Sequence, residues 1–430
     1  MEELDAAGDG TDNRPRILQT GALVGAGGLI VAIALGMAAN WREGGLGVAA
    51  PLASNSLHLR ALCVLFFASV ALVASCLWSR VAGDVVSLAP LRVRLKQMLI
   101  LCAAGPVLLV ATNYAIIRGF LPDYVALLPV LAALAVAVLY AGIAYPLSGT
   151  TGVGLGTRQI LRSSCIWLLV AAGLHLAWTT ARIVGDRPDL LLIMERPALE
   201  VGMIGFCITA SFAVLLTNLS FIYHSRQMTQ TLVRTHQFLN GLTALWGITL
   251  MWAMRFPGGY QGLVSAVIGV GLMILLAINA GSSGLLTWRR QIGGKDRSND
   301  GVWAGRIAAF SMLLVVISGV LIGITGVTLA GLGQRPPHEL VGALVAAVGL
   351  GLVPLSVTAG VAPLMRRRER PLVAGAAFVG AGVMLSALLW SVEALSSRPV
   401  AVYAVAAEVL VAVGLSLIVL RIRRIGGAAS

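Results

Sequence analysis

The stretch Arg335–Pro363, RPPHELVGALVAAVGLGLVPLSVTAGVAP, predicts an apolar helix that opens with two prolines and a histidine. A similar stretch lies 140 residues earlier, where RPALEVG at 196–202 aligns with PPHELVG at 336–342. A further shift of 140 residues brings His58 into register with His338. One type of helix therefore recurs three times along the chain, and two of its copies carry a histidine at the same level.

The composition predicts an integral membrane protein. Of the 430 residues, 58% are hydrophobic and 11% are charged, against roughly a quarter charged in soluble domains. A soluble core cannot bury so much apolar sequence. The net charge of +13 lies in short segments between apolar runs, which favours membrane topology over nucleic-acid binding as its cause.

Apolar runs long enough to cross a bilayer, about 20 residues each, number twelve. All-α architecture is therefore expected, with interior glycine and proline tolerated because neighbouring helices satisfy the freed backbone groups. The predicted helices are 17–40, 57–79, 97–118, 124–146, 162–184, 199–223, 237–256, 261–287, 305–331, 338–364, 371–395 and 400–420.

The basic residues predict the orientation. Of the 31 Lys and Arg residues, 22 fall on the side that holds both termini and 9 on the other side. Because short cytoplasmic segments are enriched in Lys and Arg, both termini are expected in the cytoplasm, with the chain in the cell membrane. The lipid bilayer is accordingly the predicted binding partner of the chain.

The 140-residue spacing divides the helices into three sets of four. After an acidic N-terminal tail (1–13), the sets occupy 14–147, 158–287 and 304–424, and together they make one membrane domain. Each set has an even number of helices, so all three face the same way. This predicts parallel repeats around a pseudo-threefold axis along the membrane normal, unlike the inverted repeats of many transporters.

Histidines are the strongest candidates for chemistry. His58 and His338 stand at the start of predicted helices two and ten, near the outer face, and neutral imidazole is a common haem ligand. Facing helices could clamp a haem between them; the alternative is an interfacial residue bonded to headgroups or loop backbone. His175 allows either a polar core contact or a ligand role, and the core contact is favoured. His224 and His236 flank a basic loop and are expected to be solvated.

Other ionisable and sulfur-containing residues point to no catalytic centre. Glu200, Glu339, Glu408 and Arg60 lie in the outer third of their helices, where a solvated position is at least as plausible as a functional one. The five cysteines lie inside apolar runs without metal-ligand spacing and are interpreted as core residues. Sequence motifs of hydrolases, metalloproteases and nucleotide-binding loops are absent.

Twelve helices, cytoplasmic termini and three parallel sets resemble subunit I of the haem–copper oxidases. Within that superfamily the chain is most similar to the nitric-oxide-response membrane proteins of the NnrS type. The similar segments are WLLVAAGLHLAW (167–178), ERPALEVGMIGFCITASFAVLL (195–216), RPPHELVGALVAAVGLGLVP (335–354) and AVYAVAAEVLVAVGLSLIVLRIRR (401–424). The resemblance implies that His58 and His338, on the second and tenth helices, hold one low-spin haem.

The chain also departs from the oxidase pattern. Glu339 and Leu340 follow His338 where a second haem histidine is expected, the sixth helix lacks a histidine before His224, and the seventh has only His236. A binuclear centre is therefore unsupported, and the chain is not expected to reduce oxygen or nitric oxide by itself. Three functions remain: haem-based electron transfer or gas response with a redox partner, a cofactor-free scaffold in a membrane complex, and a secondary transporter.

Overall fold

The fold is described from a computed structural model of the chain. It describes residues 14–46, 51–81, 89–149, 155–185, 188–223, 228–255, 260–289, 300–334, 338–361, 370–396 and 401–427. The predicted acidic tail 1–13, His224 and the two joints between the predicted sets lie wholly or largely outside these residues.

The described residues form twelve long helices and no strands, which confirms the predicted all-α class and the helix number. The helices are α1 (Arg14–Leu46), α2 (Pro51–Val81), α3 (Ala89–Ile117), α4 (Leu127–Ser148), α5 (Leu155–Val184), α6 (Pro188–Tyr223), α7 (Met228–Arg255), α8 (Gln261–Arg289), α9 (Asp300–Gly331), α10 (338–361), α11 (Arg370–Ser396) and α12 (Ala401–Gly427). Helix α10 is α-helical over His338–Ala346 and Val353–Val361, with a π-helical turn, Ala347–Leu352, between them.

Most helices extend beyond their predicted ends. The largest differences are at α6, which begins at Pro188 rather than at 199, and at α7, which begins at Met228 rather than at 237. Hydropathy marks only the segment that fits the hydrocarbon layer of about 30 Å, whereas backbone hydrogen bonds continue the helix into the interface. Pro197, expected at the start of its helix, consequently lies inside α6.

Among the described helices, eleven are long and apolar enough to cross a membrane. Helix α7 is the exception, because polar side chains are spread along its length: His236, Gln237, Asn240, Thr243 and Thr249. The chain is therefore a multi-pass membrane protein by helix length and composition, with one helix that is more polar than its neighbours.

Burial separates the spans into two groups. The buried share is 94% in α2, 100% in α6 and 83% in α10, whereas the other described spans range from 22% to 50%. Helices α2, α6 and α10 also contact one another. They form the centre of the bundle, and each is the second helix of one predicted four-helix set.

The other nine described helices surround this centre. Following their contacts gives the closed order α1, α3, α4, α5, α7, α8, α9, α11, α12 and back to α1. Each predicted set thus places three helices in the ring and one in the centre.

Consecutive helices pack antiparallel through glycine. Gly202 and Gly205 of α6 lie against Ala171 and Trp167 of α5, so the residue numbers run in opposite directions. Gly21 and Gly28 of α1 meet Ser75 and Ala68 of α2 in the same way. Small residues allow close backbone approach, which matters in lipid because acyl chains are as apolar as leucine and give helices no hydrophobic reason to associate.

Candidate functional site

His58 and His338 lie on two of the three central helices, α2 and α10. Their backbones are helical, and their side chains lie outside the described part of the chain. The assignment of these two residues to a haem therefore stays a prediction. What the structure adds is the position of their helices, which are neighbours in the centre of the bundle.

The central helices α2 and α10 touch at Leu65 and Gly349. A Cβ atom on Gly349 would lie 2.6 Å from Leu65 Cδ2, so no macrocycle fits between the helices at this level. At a rise of 1.5 Å per residue, His58 lies about 10 Å and His338 about 16 Å from the contact, each toward the N-terminal end of its helix. A haem held by both would lie on that side of the Leu65–Gly349 contact.

His175 makes the predicted core contact. The side chain is buried, and its Nε2 lies 3.5 Å from Cys63 Sγ of α2. The pair borders a small cavity of about 10 Å³, space for about one water molecule at most. Apolar side chains supply most of the cavity wall, including Phe66, Phe67 and Leu199. His175 therefore joins α5 to the centre rather than lining a ligand-sized space.

Glu200 does not lie in solvent, contrary to one of the two interpretations left open from the sequence. Its side chain is 1% exposed, because it lies on α6, which other helices surround on every side over its span. Glu200 lies near the start of the candidate membrane span Pro197–Thr217, but burial depends on how many helices surround that level. Glu408 and Arg60 are half-buried, and the side chain of Glu339 lies outside the described residues.

A row of hydrogen bonds joins α5 to α7, and sequence inspection missed it. Trp167 Nε1 donates to Asn240 Oδ1 at 3.0 Å, and Asn240 Nδ2 donates to Ser163 Oγ at 3.1 Å. One turn further along, Gln237 Nε2 donates to Gln159 Oε1 at 2.8 Å. These five residues are called the α5–α7 polar seam. The low hydropathy of α7 was the available signal, since polar residues in a bilayer helix need partners on a neighbouring helix.

His236 is buried, and its expected solvation is wrong. The side chain is 2% exposed and packs its ring against Phe212 of α6, with ring centroids 5.9 Å apart. Neither ring nitrogen has a hydrogen-bond partner among the described residues. The error arises because α7 begins nine residues earlier than predicted, which moves His236 from the expected helix tip into the packed interior.

The described residues contain no group of three or more His, Cys, Asp and Glu side chains that could hold a metal ion. The five cysteines are buried and form no disulfide, as expected for core residues.

Fold and site together define a polytopic all-helical membrane protein with a three-helix centre. Comparison with protein-family models, with curated proteins and with solved structures finds no match to this chain.

Proposed function

We propose that this chain is an oxidase-like, twelve-helix membrane protein that binds one low-spin haem and serves electron transfer or a response to nitric oxide or oxygen. The observation that carries the proposal is the contact of α2 and α10 in the centre of the bundle. The resemblance draws its haem ligands from the second and tenth helices, and its copper ligands from the sixth and seventh. Three of these four helices, α2, α6 and α10, form the centre here.

His58 and His338 fit the ligand role in chemistry and in placement. Consecutive helices run antiparallel, so the even-numbered helices α2 and α10 run in the same direction. The backbones of both histidines therefore lie at the same end of the bundle. A haem held by both His58 and His338 would suit electron transfer better than binding of a gas. The ring-and-centre order likewise supports three parallel four-helix repeats.

Absorption spectroscopy tests this proposal. The protein is expressed in haem-supplemented cells, purified in detergent, and measured as a reduced-minus-oxidised spectrum beside a haem assay. We expect a sharp low-spin signal at about one haem per chain that disappears in both His58→Ala and His338→Ala. His175→Ala and His236→Ala are matched controls that should keep the signal. A colourless wild-type protein would rule out the haem.

A cofactor-free scaffold is the second candidate, and close packing favours it. The cavity beside Cys63 and His175 is smaller than any organic ligand, and Leu65 contacts Gly349 directly in the centre. A scaffold would co-purify with a partner and stay colourless. The transporter alternative predicts two six-helix halves and a polar cavity at mid-depth, which the order of helices in the described ring does not favour.

A further inference from the structure

One end of the bundle carries a cluster of basic side chains where α3 begins, α4 ends and α5 begins. These helices are consecutive members of the ring around the centre. The described residues of these three helix ends contain no Asp or Glu. The basic end cluster consists of Arg92, Arg94 and Lys96 on α3 and Arg158 and Arg162 on α5.

Arg94 is exposed but held in one place. Its Nη1 donates to the backbone oxygen of Gly142 on α4 at 3.1 Å. Because Gly142 has no side chain, the guanidinium reaches across the surface of α4: a Cβ atom on this glycine would lie 3.4 Å from Nη1. A guanidinium has five N–H donors, so one bond fixes Arg94 and leaves donors for another acceptor.

Arg162 is fixed on the other side of α4. Its Nε donates to Ser148 Oγ at 3.2 Å, and its Cζ lies 4.7 Å from the centre of the Tyr145 ring. Tyr145 is 57% exposed, as is typical of an aromatic residue at the membrane interface. The hydrogen bond and the cation–π contact hold Arg162 against α4, and its guanidinium keeps further N–H donors for another acceptor.

Both guanidinium groups are held against the last two turns of α4, Arg94 at Gly142 and Arg162 at Tyr145 and Ser148. Arg92 adds a third positive charge on the same end of α3. A guanidinium group that is already held in position can donate two parallel hydrogen bonds to a pair of phosphate oxygens.

Apolar surface continues from this cluster toward the middle of the helices. Ile100 of α3, Val138 of α4 and Ile166 of α5 are 66%, 55% and 62% exposed. A ligand that covers both regions has an anionic head and an apolar tail. We propose that the α3–α4–α5 end binds an anionic phospholipid, with its phosphate between Arg94 and Arg162 and its acyl chains along α4.

Native mass spectrometry of the whole detergent-purified chain tests this site, with phosphatidylglycerol and phosphatidylcholine of equal chain length as probes. The wild type should retain phosphatidylglycerol through delipidation and lose phosphatidylcholine. Arg94→Gln and Arg162→Gln should each weaken phosphatidylglycerol binding about fivefold, and the double variant about 25-fold. Arg94→Lys and Arg162→Lys keep the positive charge but lose the planar guanidinium group. Their phosphatidylglycerol binding should therefore lie between that of the wild type and that of the Gln variants.

Arg118→Gln is the matched control. Arg118 also stacks on a tyrosine, Tyr114, at 5.4 Å, but at the opposite end of α3, so its loss should leave lipid binding unchanged. The proposal is overturned if both lipids are retained equally, or if Arg118→Gln weakens binding as much as Arg94→Gln. Competition by millimolar inorganic phosphate would overturn the lipid assignment in favour of free phosphate. If the double variant does not fold, the two single Gln variants, each checked for folding by its melting temperature, decide the outcome.

Discussion

Helices α3 and α6 have the same mean hydropathy, 2.0, but opposite positions. Only 22% of the α3 span is buried, whereas 100% of the α6 span is buried. Hydropathy reports whether a helix can lie in a bilayer, and both helices can. It does not report whether lipid or protein surrounds the helix, because acyl chains and leucine side chains are equally apolar.

Close backbone approach is what distinguishes the two helices. On α6, Gly202 lies against the backbone of Ala171, and Gly205 lies against the Trp167 ring. On α3, Gly105 contacts the end of one side chain, Phe67, while Ala103 and Ala104 are exposed. Of these two helices, the buried one thus has a glycine against the backbone of its neighbour, which agrees with helix association driven by packing.

The largest effect is expected from Gly202→Ala. The new Cβ would lie 2.5 Å from Ala171 Cα, which is backbone and cannot move aside. We expect a loss of about 3 kcal/mol in the free energy of unfolding, measured by thermal or SDS unfolding in detergent. Ala103→Leu on the exposed face of α3 is the control and should change little. Equal stability of the two variants would contradict the claim that close packing holds α6 but not the exposed face of α3.

Asn240→Leu should have an intermediate effect and extends the comparison to the polar helix α7. The substitution raises the hydropathy of α7 and removes the acceptor of Trp167 Nε1 and the donor to Ser163. We expect a destabilisation of about 1 kcal/mol, since hydrogen bonds between membrane helices average about 0.6 and reach about 1.7 kcal/mol.

Gln237→Leu is the control for this measurement, because the Gln237–Gln159 bond is exposed. If Asn240→Leu raised stability, hydropathy rather than the α5–α7 polar seam would hold α7 in place.

The smallest effect is expected from His236→Leu, although His236 is buried. A buried polar group without a partner costs about 1–3 kcal/mol, so an apolar residue of similar size relieves that cost while the fit against Phe212 changes. We expect stability to be unchanged or raised by up to about 1 kcal/mol, measured as for the other variants. A loss comparable to that of Gly202→Ala would mean that His236 binds something that stabilises the fold.

The sequence predicted the helices better than their surroundings. Twelve apolar runs gave twelve helices, because the hydrocarbon thickness fixes the length that an apolar run must have. The burial of Glu200 and His236 was not predicted, since burial depends on which helices are neighbours and not on position along one helix. His175 was predicted correctly because it lies in the middle of an apolar run. The haem assignment of His58 and His338 stays a prediction.

The π-helical turn Ala347–Leu352 has a consequence for comparing the three central helices. Its hydrogen bonds span five residues instead of four, so α10 contains one residue more than a regular α-helix that covers the same distance. Beyond this turn, equivalent positions in α6 and α10 would be 141 rather than about 140 residues apart. A gap-free alignment of the predicted repeats would then lose register halfway along α10 and underestimate their sequence similarity.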